Sequence, residues 1–144
     1  MNAINWNLPI RKPIEPEFEV TPGLNIEATK SYYAQMANGD LCNCDYCQNY
    51  IDKIKAAYPK VSAYLSSLGI DIENPFETMP LEPDETGNLV YISAQYIMFG
   101  TADDFVKTVI NSVNVAITDV HPSTQIDEAH FVIEISPIRL KWTV

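Results

Sequence analysis

The sequence predicts an α+β fold: an antiparallel, sandwich-like β-sheet with a bent helical segment over about 44–68 packed on it. Three observations lead there. Apolar residues recur at three and four positions from Cys47 to Leu68, the spacing of an amphipathic helix. Residues 89–99 are mainly apolar on both faces, as in a strand covered on both sides. Over 113–117, 131–135 and 138–144 apolar residues recur at every second position, the period of half-buried strands.

Residues 1–23 read as an extended, proline-rich arm, with Pro9, Pro13, Pro16 and Pro22 removing backbone donors. Residues 24–144 read as one α+β domain. In its first segment, 24–36, Leu24, Ile26, Ala28, Tyr32, Ala34 and Met36 share one parity, which predicts a strand ended by a turn at Asn38-Gly39-Asp40. The helical segment follows, with Asn43 as its expected N-cap and Asp45 at the positive end of the dipole. Pro59 cannot sit inside a continuous helix, so the segment should break there. Gly69 is the expected left-handed stop.

Residues 71–88 carry Pro75, Pro80, Pro83 and Gly87 and read as loop. Residues 89–99 form the covered strand, ended by Gly100. The stretch 103–111 pairs Phe105 with Val109 and Val106 with Ile110 and reads as a short helix. Residues 113–120 and 130–136 alternate as strands. The buried parity flips from odd (Phe131, Ile133, Ile135) to even (Ile138, Leu140, Trp142) across Pro137. A bulge or sheet-to-sheet crossing at that proline would keep one face buried. The arm or a second chain is expected to cover an exposed sheet edge.

Composition narrows the function. Nine Lys and Arg stand against nineteen Asp and Glu, a net charge of −10. Nucleic-acid binding, which needs cations to displace counterions, is therefore not expected, nor is docking on an anionic membrane. The longest nearly uncharged stretch, Asn88 to Thr101, is shorter than the roughly 20 residues of a spanning helix. The first residues lack the basic-then-apolar order of a signal peptide. Three clustered cysteines suit a reducing compartment better than a disulfide framework. A cytoplasmic protein is expected.

The chemistry-bearing motif is Cys42-Asn43-Cys44-Asp45-Tyr46-Cys47. Cys44 and Cys47 lie three apart at the predicted helix start, where unpaired N–H groups favour thiolates, and Cys42 comes from the loop before it. Three thiolates there could hold zinc, with His121, His130, Asp40 or Asp45 as candidates for a fourth ligand. The Cys44–Cys47 pair could instead do redox chemistry, although a turn leads into the motif where a buried strand is usual. The thiols could also simply pack the helix start against the sheet. Elsewhere, Asp103-Asp104 reads as a capping pair and His121 as a turn residue. Ser62, Ser66 and Ser67 have no base near in sequence. No phosphate loop or dinucleotide fingerprint occurs. Tyr32, Tyr50, Tyr58, Tyr64 and Tyr96 fall on buried positions and read as core tyrosines.

The cluster with Asn49 and Tyr50, the Leu68-Gly69-Ile70-Asp71 helix exit, and the run from Tyr91 to Gly100 together resemble a group of small uncharacterised bacterial proteins. That group shares a C-x-C-x-x-C-x-N cluster, and the resemblance spans roughly residues 24–144. It implies the fold and carries no activity. The expectation is therefore a small acidic binding or protein-interaction module without catalysis, with an unknown protein partner or a second copy of itself. The rival is a zinc-stabilised or thiol-dependent protein using Cys42, Cys44 and Cys47.

Overall fold

The computed structural model describes residues 23–36, 43–103 and 105–143. The proline-rich arm to Pro22, the turn at Asn38-Gly39-Asp40, Cys42 and Asp104 lie outside the described residues. The fold is α+β. Three helices, α1 (Ile26–Gln35), α2 (Asp45–Ala57) and α3 (Pro59–Ser67), precede six strands. The strands are β1 (Glu77–Pro80), β2 (Asn88–Phe99), β3 (Thr108–Ile110), β4 (Val113–Thr118), β5 (His130–Ser136) and β6 (Ile138–Lys141). All belong to one antiparallel sheet in the order β1-β2-β5-β4-β3, with β6 also on β2.

The break at Pro59 is where the sequence places it. Proline opens α3 at a position whose N–H would have no helical partner anyway. The stripe is buried as its spacing requires: Tyr50, Ile54, Val61 and Leu65 are fully covered. Each such side chain contributes about 1.5–3 kcal/mol by leaving water. They meet Leu89, Tyr91, Tyr96, Met98, Ile133, Ile135, Ile138 and Leu140 of the sheet in one core. Gly69 closes α3 at φ +87°.

Residues 26–35 are helix, not the expected strand. The parity that suggests a strand coexists with pairs four apart, Ala28 with Tyr32 and Thr29 with Tyr33, that serve a helix equally. Asn25 starts it, its side chain accepting from the Ala28 N–H at 3.0 Å. Tertiary contacts decide the matter. Beyond Gln95, where pairing with β1 stops, α1 lies along the open edge of β2. The Tyr33 hydroxyl accepts from the Ile97 N–H and donates to the Ile97 carbonyl, both at 2.9 Å. Thr29 Oγ1 accepts from the Phe99 N–H at 3.0 Å, and the Asn25 N–H donates to the Phe99 carbonyl at 2.9 Å. The edge is thus satisfied by a helix and its N-cap, through two side-chain hydroxyls and one backbone N–H.

Three further expectations change. Within the 71–88 loop, residues 77–80 form β1. Residues 108–110 pair with β4 as β3, so the short helix is not formed. Asn111 and Ser112 take positive φ of 51° and 68°, making the two-residue hairpin turn that joins them. The bulge at Pro137 is absent as well. Ala94 faces Ile135 and Tyr91 faces Ile138, with two residues between on each strand. The register runs on unbroken because β2 changes its buried parity in step, from Leu89 and Tyr91 to Ala94, Tyr96 and Met98. A second, smaller cluster of Ile97, Phe99 and Val132 packs under Ala28, Tyr32, Phe76 and Ile126.

Candidate functional site

The start of α2 is held by three polar contacts to the sheet. Asn49 is fully buried and donates to the Lys141 carbonyl at 2.8 Å, while its oxygen accepts from the Thr143 N–H at 3.3 Å. The Tyr91 hydroxyl donates to the Tyr46 carbonyl at 2.6 Å. Burial pushes the Tyr91 phenol up to about 12, partly offset by the amide N–H of Asn49 beside it. Asn49, the last residue of the C-x-C-x-x-C-x-N pattern, therefore positions the helix.

Cys44, not Asn43, is the N-cap of α2, with its Sγ accepting from the Cys47 N–H at 3.4 Å. A thiol occupies the place usually taken by a hydroxyl or carboxylate oxygen. Cys44 is exposed; Cys47 is half-buried and has its Sγ 4.0 Å from Thr78 Oγ1 on β1. Among the described residues, no three His, Cys, Asp or Glu side chains gather as a metal site. Of the candidate fourth ligands, His130 is tied to Thr124 Oγ1 at 2.6 Å and to the Glu128 carbonyl at 2.7 Å. His121 bonds the Pro122 carbonyl at 2.8 Å. The described residues thus supply two thiols toward a zinc ion, where a structural site takes four ligands.

The weaker candidates stay apart. Asp103 is exposed, 3.4 Å from the Thr101 hydroxyl. Ser67 donates to the Tyr64 carbonyl. Ser62 and Ser66 line an open hollow of about 660 Å³ that also carries Lys30, Lys55, Asp71 and Glu73, a wall of mixed charge. Of the five tyrosines expected in the core, Tyr32, Tyr58 and Tyr64 are half-buried, while Tyr50 and Tyr96 are fully buried: their hydroxyls meet at 2.6 Å, and Tyr96 donates to the Ile72 carbonyl at 2.7 Å.

The sequence did not point to the cavity beside Cys47. It measures about 440 Å³ and lies where the cover of the β2 edge passes from β1 to α1. Tyr32 and Met36 bound it from α1, Cys47 and Ile51 from α2, and Phe76 and Thr78 from the third side. Asn74 is in its wall, placed by Asp71, which accepts from the Asn74 amide at 2.6 Å and from the Glu73 N–H at 3.0 Å. The other side-chain atom of that amide, Oδ1, is buried without a hydrogen-bond partner. The one local signal was Asp71 three residues before an Asn-Pro pair, a turn former. Nothing in it marks a cavity, because the gap arises from three segments distant in sequence.

No helix among the described residues is long and apolar enough to cross a membrane. No protein-family model, no curated protein and no solved structure matches the chain.

Proposed function

We propose that the protein is a small, non-catalytic binding module working in the cytoplasm. One observation carries this reading. Buried polar side chains are engaged in holding the fold, as with Tyr33 on Ile97, Tyr50 on Tyr96 and Asn49 on Lys141. A formed cavity beside them is left over. Its size falls within the roughly 300–1,000 Å³ usual for ligand pockets. A protein partner, or a second copy, belongs to the same reading: Val109 on the edge strand β3 and Val106 just before it are 60% and 73% exposed. The test is ligand-observed NMR against a small-molecule library, with sedimentation for self-association. Binders recovered unchanged after long incubation are expected. Consumption of a compound that stops when one named side chain is replaced would overturn the reading.

A thiol-dependent role is the second reading, favoured by the Cys44 cap on the Cys47 N–H. In exchange with a disulfide substrate, the Cys44 thiolate would attack one sulfur and release the other as a thiolate. Cys47 would then resolve the mixed disulfide, with two electrons passing to the substrate. With Cys42 the same thiols would serve a zinc-stabilised module. Reduction of a model disulfide, lost in Cys44→Ser, supports exchange. About one zinc per chain, with melting lowered by chelator, supports the zinc form. Failure of both tests would remove the reading.

A further inference from the structure

We infer that the cavity between α1, α2 and β1 binds a small organic cation: an apolar, ring-sized body carrying a protonated amine. The inference rests on the binding-module reading and names its site and ligand class. The argument starts from the handover along the β2 edge. Up to Gln95 the edge is paired by a strand, and at Ile97 it is taken by the Tyr33 hydroxyl. A strand sits about 4.8 Å from its neighbour, whereas a helix needs about 10 Å of width. The covers cannot meet flush, and the gap above Ile97 is the cavity.

The lining sets the ligand's chemistry. Its rings are Tyr32, Tyr33 and Phe76, and it includes Glu77, while no described Lys, Arg or His lies on it. An anionic ligand would meet a carboxylate and, among the described residues, no counter-charge. A cation finds Glu77 for its charge and aromatic faces for the rest, the pairing by which ring quadrupoles hold ammonium groups. The polar function left unused points the same way. Asn74 is only 8% exposed, its amide N–H is spent on Asp71, and its Oδ1 lacks a donor. A ligand N–H is the complement of that oxygen. The net charge of −10 draws cations toward the surface before any contact forms.

The experiment uses three probes sharing one ring: benzylammonium, benzyl alcohol and benzoate near neutral pH and at low salt. Binding is followed by backbone amide shifts in the full-length protein. The expected result is saturable shifts at residues 74, 76–78 and 32–36 with benzylammonium, at least about tenfold weaker binding of benzyl alcohol, and none of benzoate. Glu77 is exposed, so Glu77→Gln should fold normally and weaken benzylammonium about fivefold. Ile51→Trp should fill the cavity and abolish the shifts. Equal binding of benzyl alcohol, indifference to Glu77→Gln, shifts confined to other residues, or no binding of benzylammonium in the millimolar range would each overturn the inference. If benzylammonium fails while library compounds bind unchanged, the ligand class falls and the binding module stands. If the library also yields no binder, both fall.

Discussion

The hydroxyl of Tyr33 on α1 holds both backbone groups of Ile97 on β2, donating to the carbonyl and accepting from the N–H at 2.9 Å each. One phenol thereby does the work of a neighbouring strand at that residue. Tyr33→Phe would leave two buried backbone groups unpaired, at about 1–3 kcal/mol each. A loss of about 2–4 kcal/mol in urea unfolding is expected, with unchanged slope. Thr29→Val, which removes the acceptor for the Phe99 N–H and the hydroxyl's bonds to the Asn25 carbonyl and the Met98 sulfur, should cost less, because only one buried backbone group loses its partner. A Tyr33→Phe protein as stable as the parent would show that the edge is satisfied in another way.

The Tyr50 and Tyr96 hydroxyls form a chain ending on the Ile72 carbonyl. Because Tyr96 donates to Ile72, Tyr50 is the donor between the two rings. Tyr96→Phe would strand both Ile72 and Tyr50, whereas Tyr50→Phe leaves the Tyr96–Ile72 bond intact. The expected costs are about 2–3 kcal/mol for Tyr96→Phe and about 1 kcal/mol for Tyr50→Phe. The double variant should lie close to Tyr96→Phe, since the pair shares one network. Additive costs in denaturant titration would contradict the chain.

Alkaline pH provides a third test. Burial raises the phenol pKa values of Tyr33, Tyr50 and Tyr96 and pushes Tyr91 up to about 12. Phenols are charged when deprotonated, so a raised folded pKa means that folding favours the neutral ring. That stability is complete below the unfolded pKa of about 10 and is lost as pH rises through the folded values. Absorbance at the tyrosinate band should rise first for exposed rings. The remaining rise should coincide with loss of far-UV circular dichroism, at pH near or above that of Tyr91. Full tyrosine ionisation with the fold intact would refute these assignments.

Two glycines separate backbone conformation from contact. Gly69 and Gly87 have φ of +87° and +79°. A Cβ on Gly69 would stand 2.8 Å from the Ile26 carbonyl oxygen, whereas one on Gly87 meets nothing within 4 Å. Gly87→Ala should therefore cost about 1–2 kcal/mol from the left-handed backbone alone. Gly69→Ala should cost more, about 2–4 kcal/mol, because α1 must also move. Thermal melts of the two variants compare them directly, and equal losses would mean that α1 yields freely.

Elements with a long, consistent period were legible in the sequence. The stripe from Cys47 to Leu68, the break at Pro59 and the stop at Gly69 come from local rules of spacing and backbone geometry. Residues 26–35 were not legible, because Thr29 and Tyr33 are polar residues whose burial makes sense only against the open groups of Ile97 and Phe99. Nor was β3. Its three residues carry too little pattern to compete with pairs four apart, and the Asn111-Ser112 turn makes sense only once β4 is its partner. The Cys44 and Cys47 placement at a helix start was foreseen, but the cavity walled by Cys47, Asn74 and Phe76 was not.

By itself, the sequence determined the acidic composition, the α+β class, the broken helical stripe and the covered central strand. Each follows from composition or from a period repeated over several turns or pleats, where the hydrophobic effect leaves one arrangement. The tertiary structure alone decided how the β2 edge is closed, which face each half of β2 buries, and where a ligand-sized gap remains. Those depend on hydrogen-bonding groups and volumes brought together from residues far apart in the chain, and no local pattern records such meetings.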